Sequence, residues 1–131
     1  MADRLVAGLE ARQVSFRRNV EREYQLPGSL SLGLKGVDAP SLIDALSDTV
    51  YLSEGSACTS GQIQPSHVLA AMGFTDVEMG ETIRIYCGRY NNTTQIDYAA
   101  TVIADAVHLM TLAHWTGRPV RSAHEGRFHR F

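Results

Sequence analysis

The sequence predicts one α/β domain of the mixed α+β kind: a small, mostly antiparallel sheet with helices packed on it. Three observations predict it. Apolar residues recur at helical spacing at both ends of the chain, through Leu5, Val6 and Leu9 and again through Ile96, Ala100, Ile103, Val107 and Met110. Between them lie two short segments of alternating polarity, SLSLGL at 29–34 and TIRIYC at 82–87, which read as half-buried strands. The connections are short and punctuated by Pro27-Gly28, Lys35-Gly36 and Gly73, as layered domains require.

Taken in order, the first element is an amphipathic helix over 2–12, weakened at Gly8 by about 1 kcal/mol relative to alanine. VSFRRNV, with Val14, Phe16 and Val20, suits an edge strand, and Glu21 to Gln25 a polar linker before the Pro27-Gly28 turn. In the strand that follows, Leu30, Leu32 and Leu34 share a face, and Gly33 marks a close approach on the other. Asp38 is placed to cap a helix with Pro40 in its first turn and Leu42, Ile43, Ala45 and Leu46 as its buried stripe. TVYLS at 49–53 reads as a strand that delivers the chain into SEGSACTSG. Pro65 then starts a helix that Gly73 ends. In TIRIYC, Ile83, Ile85 and Cys87 fall on one face and Thr82, Arg84 and Tyr86 on the other. Asn92 with Gln95 forms a capping-box pattern for the last helix. The domain is expected to occupy 1–115. The remaining 116–131, with four arginines and two histidines and no apolar period, is expected to be a basic, flexible or docking tail.

Composition narrows the function classes. A chain of 131 residues is of single-domain size. A formal net charge of -2 argues against nucleic acid as the principal partner, which normally demands a basic face. The apolar run 98–115 is interrupted by Asp105, His108 and His114, so it is read as a core helix and no membrane partner is expected. Two cysteines and no secretory pattern at the start suggest a reducing, cytoplasmic setting. The five histidines form no ligand spacing with Cys58, so no metal is expected, and no phosphate-binding loop pattern follows a strand.

Two residues stand out as candidate chemistry. Cys58 lies among small residues, between Gly55 and Gly61, where there is little to pack a structural thiol against. It is therefore either a reactive, ligand-contacting thiol or an inert loop cysteine. Cys87, in mid-strand on the apolar side, reads as core filler. Arg84 projects from the other side of the same strand; it either forks around a carboxylate or makes a surface ion pair, and Arg89 shares that ambiguity. Of twelve basic residues only Lys35 is a lysine, so an amine nucleophile has a single candidate.

The segments LPGSLSLGLKGVDAPSLIDAL, YLSEGSACTSGQIQPSHVLAAMG and ETIRIYCGRYNNTTQID closely resemble, in order and spacing, the C-terminal small domain of the pyridoxal-phosphate-dependent cysteine desulfurases of the class V aminotransferase superfamily. The resemblance spans residues 4 to 113 and implies the small domain of the fold-type-I enzymes. It implies that Cys58 is the catalytic cysteine, which attacks the sulfur of cofactor-bound cysteine and becomes a persulfide as alanine leaves. It places Arg84 on the arginine that holds the substrate carboxylate, and His67 at a structural helix position. It is the long-loop members, which serve iron–sulfur and thiolation pathways, that the loop is similar to.

In that family a large domain supplies the Schiff-base lysine and most cofactor contacts, and these 131 residues hold no counterpart of it; Lys35 lies away from the family's lysine position. No cofactor-binding residue is therefore expected in this chain. Three readings follow: part of a split or truncated desulfurase whose pyridoxal phosphate is held by another chain, a stand-alone persulfide relay, or a non-catalytic interaction or dimerisation domain. The partners implied are a large-domain chain or a second copy of this one, and a sulfur-acceptor or scaffold protein. An oligomer or tight complex is expected, because the face that meets the large domain would otherwise be bare.

Overall fold

The chain runs α1 (Ala2–Ala11), β1 (Arg17–Arg18), β2 (Ser29–Gly33), α2 (Ala39–Leu46), β3 (Ser53–Glu54), β4 (Cys58–Thr59), β5 (Gln62–Ile63), α3 (His67–Ala71), α4 (Asp76–Gly80), β6 (Thr82–Tyr86) and α5 (Thr93–Thr116). The computed structural model describes residues 1–55, 58–59, 62–63 and 66–116, with 58–59, 62–63 and 114–116 described as backbone only. The basic tail expected at 116–131 lies, from residue 117, outside the described residues.

The two alternating segments found the sheet by pairing with each other. β2 and β6 run antiparallel with Leu30 opposite Ile85 and Leu32 opposite Ile83, so four branched side chains form one patch. β1 adds antiparallel to the free edge of β2 and β3 to that of β6, giving the order β1-β2-β6-β3. A separate hairpin pairs β4 with β5, Cys58 opposite Ile63. The sheet is thus antiparallel and helix-covered, the α+β architecture expected.

The core lies on the inner face of this sheet. Leu30, Leu32, Leu34, Ile83 and Ile85 meet Leu5, Val6 and Leu9 of α1, Leu42 and Leu46 of α2, and Ile96, Ala100, Ile103, Val107 and Met110 of α5. Each such large side chain contributes about 1.5–3 kcal/mol of burial. The stripe of α5 expected from its periodicity is buried from Ile96 to Met110, but Leu112, toward which it was expected to run, is 61% exposed. Residues Thr93–Ala113 are long and apolar enough to cross a membrane by length and composition, but α1 and α2 pack on that stripe, which is how a core helix is built. A Cβ at Gly8 would lie 2.8 Å from Ala100 Cβ, so the glycine that weakens α1 lets it cross α5 closely. Arg4 then forks onto Asp97, with Nε–Oδ1 at 2.7 Å and Nη2–Oδ2 at 2.8 Å, and Arg12 Nη2 donates to Thr101 Oγ1 at 2.8 Å.

The expected caps are in place. Asp38 accepts from the Ser41 amide at 3.0 Å, and Asn92 and Gln95 exchange side-chain and backbone bonds at 2.9 and 3.1 Å. Three expectations need correction. TVYLS is not a strand over its length: pairing starts at Ser53, and Tyr51 stands 95% exposed, because β6 offers β3 only the short edge around Arg84 and Ile83. The linker 21–25 contains a 3₁₀ turn at Arg22–Tyr24, tied to α1 where Arg22 Nη2 donates to Asp3 at 2.6 Å. Finally, α4 was not anticipated, although Thr75 and Glu78 make a complete capping box at its start.

Candidate functional site

The outer face of β6 carries the candidate residues. Inner-face Ile83, Ile85 and Cys87 are 0, 6 and 8% exposed, whereas Arg84 and Tyr86 point outward and are exposed. Ser31 of β2 and Ser53 of β3 flank Arg84 in register, so the arginine rises between two small hydroxyl residues. Small neighbours leave its guanidinium room. Arg84 Nε donates to the Glu54 carbonyl at 2.9 Å, and Ser53 Oγ to the Arg84 carbonyl at 3.4 Å. Nε is held by the neighbouring strand, and the terminal Nη pair of a guanidinium is a planar two-donor edge of the kind that can fork onto a carboxylate.

The same strand leads to the thiol. Ser53 faces Arg84, and Cys58 follows five residues later in β4, so its Cα lies within about 18 Å of Ser53 by chain length alone. Tyr86, 71% exposed, stands two residues from Arg84 on the same face, with its ring against Gly28 and Gly88. Gly28 has φ +81 and a Cβ there would lie 2.4 Å from the Cys87 carbonyl oxygen, so the Pro27-Gly28 turn admits no side chain.

The remaining candidates separate from this face. Cys87 is buried, and loss of solvation pushes its thiol up from the ordinary range, away from the thiolate that sulfur chemistry requires. Its amide donates to Gly28 O at 2.8 Å. Arg89 folds over the ring of its neighbour, 4.8 Å from the Tyr90 centroid, and donates to the Tyr90 hydroxyl at 2.8 Å. His67 is exposed on α3, and His108 Nε2 meets the Arg12 carbonyl oxygen at 2.8 Å. Among the described residues no three His, Cys, Asp or Glu side chains converge as a metal site.

Lys35 tests whether the chain could itself hold pyridoxal phosphate. It is exposed, beside a cleft also lined by Phe16, Arg17, Glu78 and Glu81. Arg17 is engaged there, with Nη1 on Glu78 Oε1 at 2.8 Å, Nε on Asn19 at 3.1 Å and the guanidinium 4.6 Å from the Phe74 centroid. Glu78 is held ionised below the usual carboxylate range, first by the Thr75 amide and then by Arg17. A phosphate would meet two carboxylates and a committed cation, so the described residues around Lys35 do not fit the cofactor.

Sequence reasoning missed the buried polar cluster behind the site. Thr82, on the outward side by alternation, is 0% exposed: its hydroxyl donates to Glu78 O at 2.8 Å and accepts from Asn19 Nδ2 at 3.2 Å. Gly55 is likewise buried, and its amide donates to the Thr82 carbonyl at 3.2 Å. A polar residue at the start of an alternating strand was the available signal for Thr82; nothing local marks Asn19.

No protein-family model matches the chain. It is 41% identical over 115 residues to cysteine desulfurase IscS of Colwellia psychrerythraea, covering 86% of this chain and 28% of that protein. To cysteine desulfurase IscS of Methylococcus capsulatus it is 37% identical over 107 residues, covering 82% of this chain and 26% of that protein. A solved structure titled NifS-like protein superposes with a TM-score of 0.67 at 26% identity, over 82% of this chain and 26% of that one. The chain therefore spans between a quarter and a third of the length of the relatives it matches. Sequence and fold agree that this chain is related to the cysteine desulfurases and corresponds to the C-terminal small domain of that family.

Proposed function

We propose that the chain is the C-terminal part of a split or truncated cysteine desulfurase, in which Cys58 accepts sulfur from L-cysteine as a persulfide and passes it to an acceptor protein. The observation that carries the reading is the pairing of Ser53 with Arg84, which sets the edge strand leading to Cys58 beside an outward arginine of β6. In this reading the Arg84 fork binds the carboxylate of the substrate cysteine and fixes its distance from the arm that carries Cys58. The Cys58 thiolate forms a bond to the substrate sulfur as the carbon–sulfur bond breaks. The electron pair of that bond stays on carbon, which gains a proton, so the products are alanine and the Cys58 persulfide. Pyridoxal phosphate, when bound by a large domain outside residues 1–131, supplies the electron sink on the substrate side. Such a large-domain chain, and a sulfur-acceptor or scaffold protein, are the proposed partners, and iron–sulfur cluster assembly is the proposed use of the sulfur.

The test mixes this chain with a pyridoxal-phosphate-bearing large domain of the family. The expected result is cysteine-dependent sulfide release that Cys58→Ser abolishes while the cofactor absorbance band remains. Sulfide release that survives Cys58→Ser would remove Cys58 from the reaction.

A further inference from the structure

Gly55 and Ser66 flank the stretch of sequence, 56–65, that carries Cys58. Gly55 is the last residue before it, and its amide extends the β3–β6 pairing by one bond, to the Thr82 carbonyl. On the far side Ser66 caps α3 by accepting from the Leu69 amide at 3.3 Å, and Leu69 is buried at 5% exposure. The two sides touch. A Cβ at Gly55 would lie 2.9 Å from Thr82 Cγ2, 3.2 Å from Thr82 Cβ and 3.0 Å from Leu69 Cδ1. Gly55 is not among the glycines of positive φ, so it is contact and not backbone conformation that excludes a side chain. Thr82 in turn cannot retreat, because its hydroxyl is fixed by Glu78 O and Asn19 Nδ2.

We infer that Gly55 and Thr82 form a neck that positions Cys58, setting where the thiol-bearing segment departs from the sheet relative to Arg84. They are positioning residues, acting through the segment between them and touching no substrate. The inference rests on the reading of Cys58 as the sulfur acceptor for its functional meaning, but the neck itself is a statement about geometry. Thr82 adjoins Ile83 and is separated from Arg84 by that one residue, so a shift at the neck changes the path from carboxylate to thiol without touching either group. Misplacement of a reacting group by about 1 Å can cost on the order of 100-fold in rate.

Spin labels on Cys58 and on Ala7→Cys, an exposed position of α1, measure the neck directly in the full chain; Cys87 is buried and serves as the unlabelled background. Gly55→Ala should shift or broaden the distance distribution. Thr82→Ser, which removes Cγ2 and keeps the hydroxyl bonds, should restore it when combined with Gly55→Ala. In the reconstituted enzyme, Gly55→Ala should slow persulfide formation on Cys58 at least roughly tenfold with KM little changed, and the double variant should recover it. A distribution unmoved by Gly55→Ala, or moved and not restored by Thr82→Ser, overturns the inference. Should Gly55→Ala not fold, Thr82→Val takes its place: it keeps the side-chain shape and removes both hydroxyl bonds, and an unmoved distribution overturns the inference equally. If the distances behave as expected while wild-type Cys58 takes up no sulfur, the neck stands and the reading of Cys58 as acceptor falls.

Discussion

The two faces of β6 differ in kind although they alternate along five residues. The inner face, Ile83 and Ile85, packs against apolar residues of β2, α1, α2 and α5 together with Cys87, whose thiol burial keeps protonated. The outer face presents Arg84 and Tyr86 in the open and anchors the approach to Cys58 at Thr82. One strand therefore holds the domain together with half its side chains and, in the proposed function, offers chemistry with the other half. The period of two in a strand makes this division possible, and the rigidity of the inner half is what gives the outer half a defined geometry.

Substitutions that respect only one face should separate the two roles. The largest effect is expected from Cys58→Ser, which removes the proposed sulfur-accepting atom: persulfide formation should vanish, while the thermal midpoint stays close to that of the wild-type chain. Arg84→Ala should cost about 2–3 kcal/mol of substrate binding, roughly 30- to 150-fold in KM, the value of a charge-assisted hydrogen-bonded pair. Arg84→Lys should recover only part of it, because an ammonium cannot fork; steady-state kinetics of the reconstituted enzyme decide. On the inner face the order inverts. Ile83→Ala should lower stability by about 2–5 kcal/mol in denaturant melts, by loss of burial and creation of a cavity. Equal losses of stability from Arg84→Ala and Ile83→Ala would break the distinction between the faces.

The smallest expected effect concerns pH. Asp97 is held below the usual carboxylate range, chiefly by the hydrogen bonds from Arg4, and Glu78 by the Thr75 amide and Arg17. A carboxylate with a depressed folded-state pKa stabilises the fold at pH values above its unfolded pKa of about 4, and that stabilisation is lost as pH falls through the folded value. Thermal midpoints should thus be flat with respect to these groups between pH 7 and pH 5 and fall below about pH 4. Asp97→Asn should make that acid fall shallower, and an unchanged profile would show that the exposed Arg4–Asp97 pair contributes nothing measurable.

How much of this was legible in the sequence follows the same division. Periodicity announced β2, β6, α1 and α5, since burial of one face leaves a pattern in the residues themselves, and the caps at Asp38 and Asn92 were visible because they are local. The direction of Arg84 was legible for the same reason. β3 was overcalled because the β-branched Val50 carries a propensity but no partner: the edge of β6 accepts only Ser53 and Glu54. α4 was overlooked despite its capping box, since a five-residue helix carries no periodic stripe. The meaning of Gly8 and Gly55 was not readable at all. Both are defined by atoms distant in sequence, Ala100 in one case and Thr82 with Leu69 in the other, and a single chain read locally records flexibility where the fold requires contact. Lys35 was set aside only through the resemblance, since by count it was the single amine candidate; the carboxylates of Glu78 and Glu81 that line the cleft beside it could not be read locally.

The account rests most heavily on Cys58 as the place where sulfur arrives. Its direct test is intact-mass and peptide mass spectrometry of the chain after incubation with L-cysteine and a pyridoxal-phosphate-bearing large domain, with Cys87 as the internal control. The account predicts the mass of one added sulfur atom on the peptide containing Cys58 and none on the peptide containing Cys87. An unmodified Cys58 under conditions in which alanine is produced would contradict it.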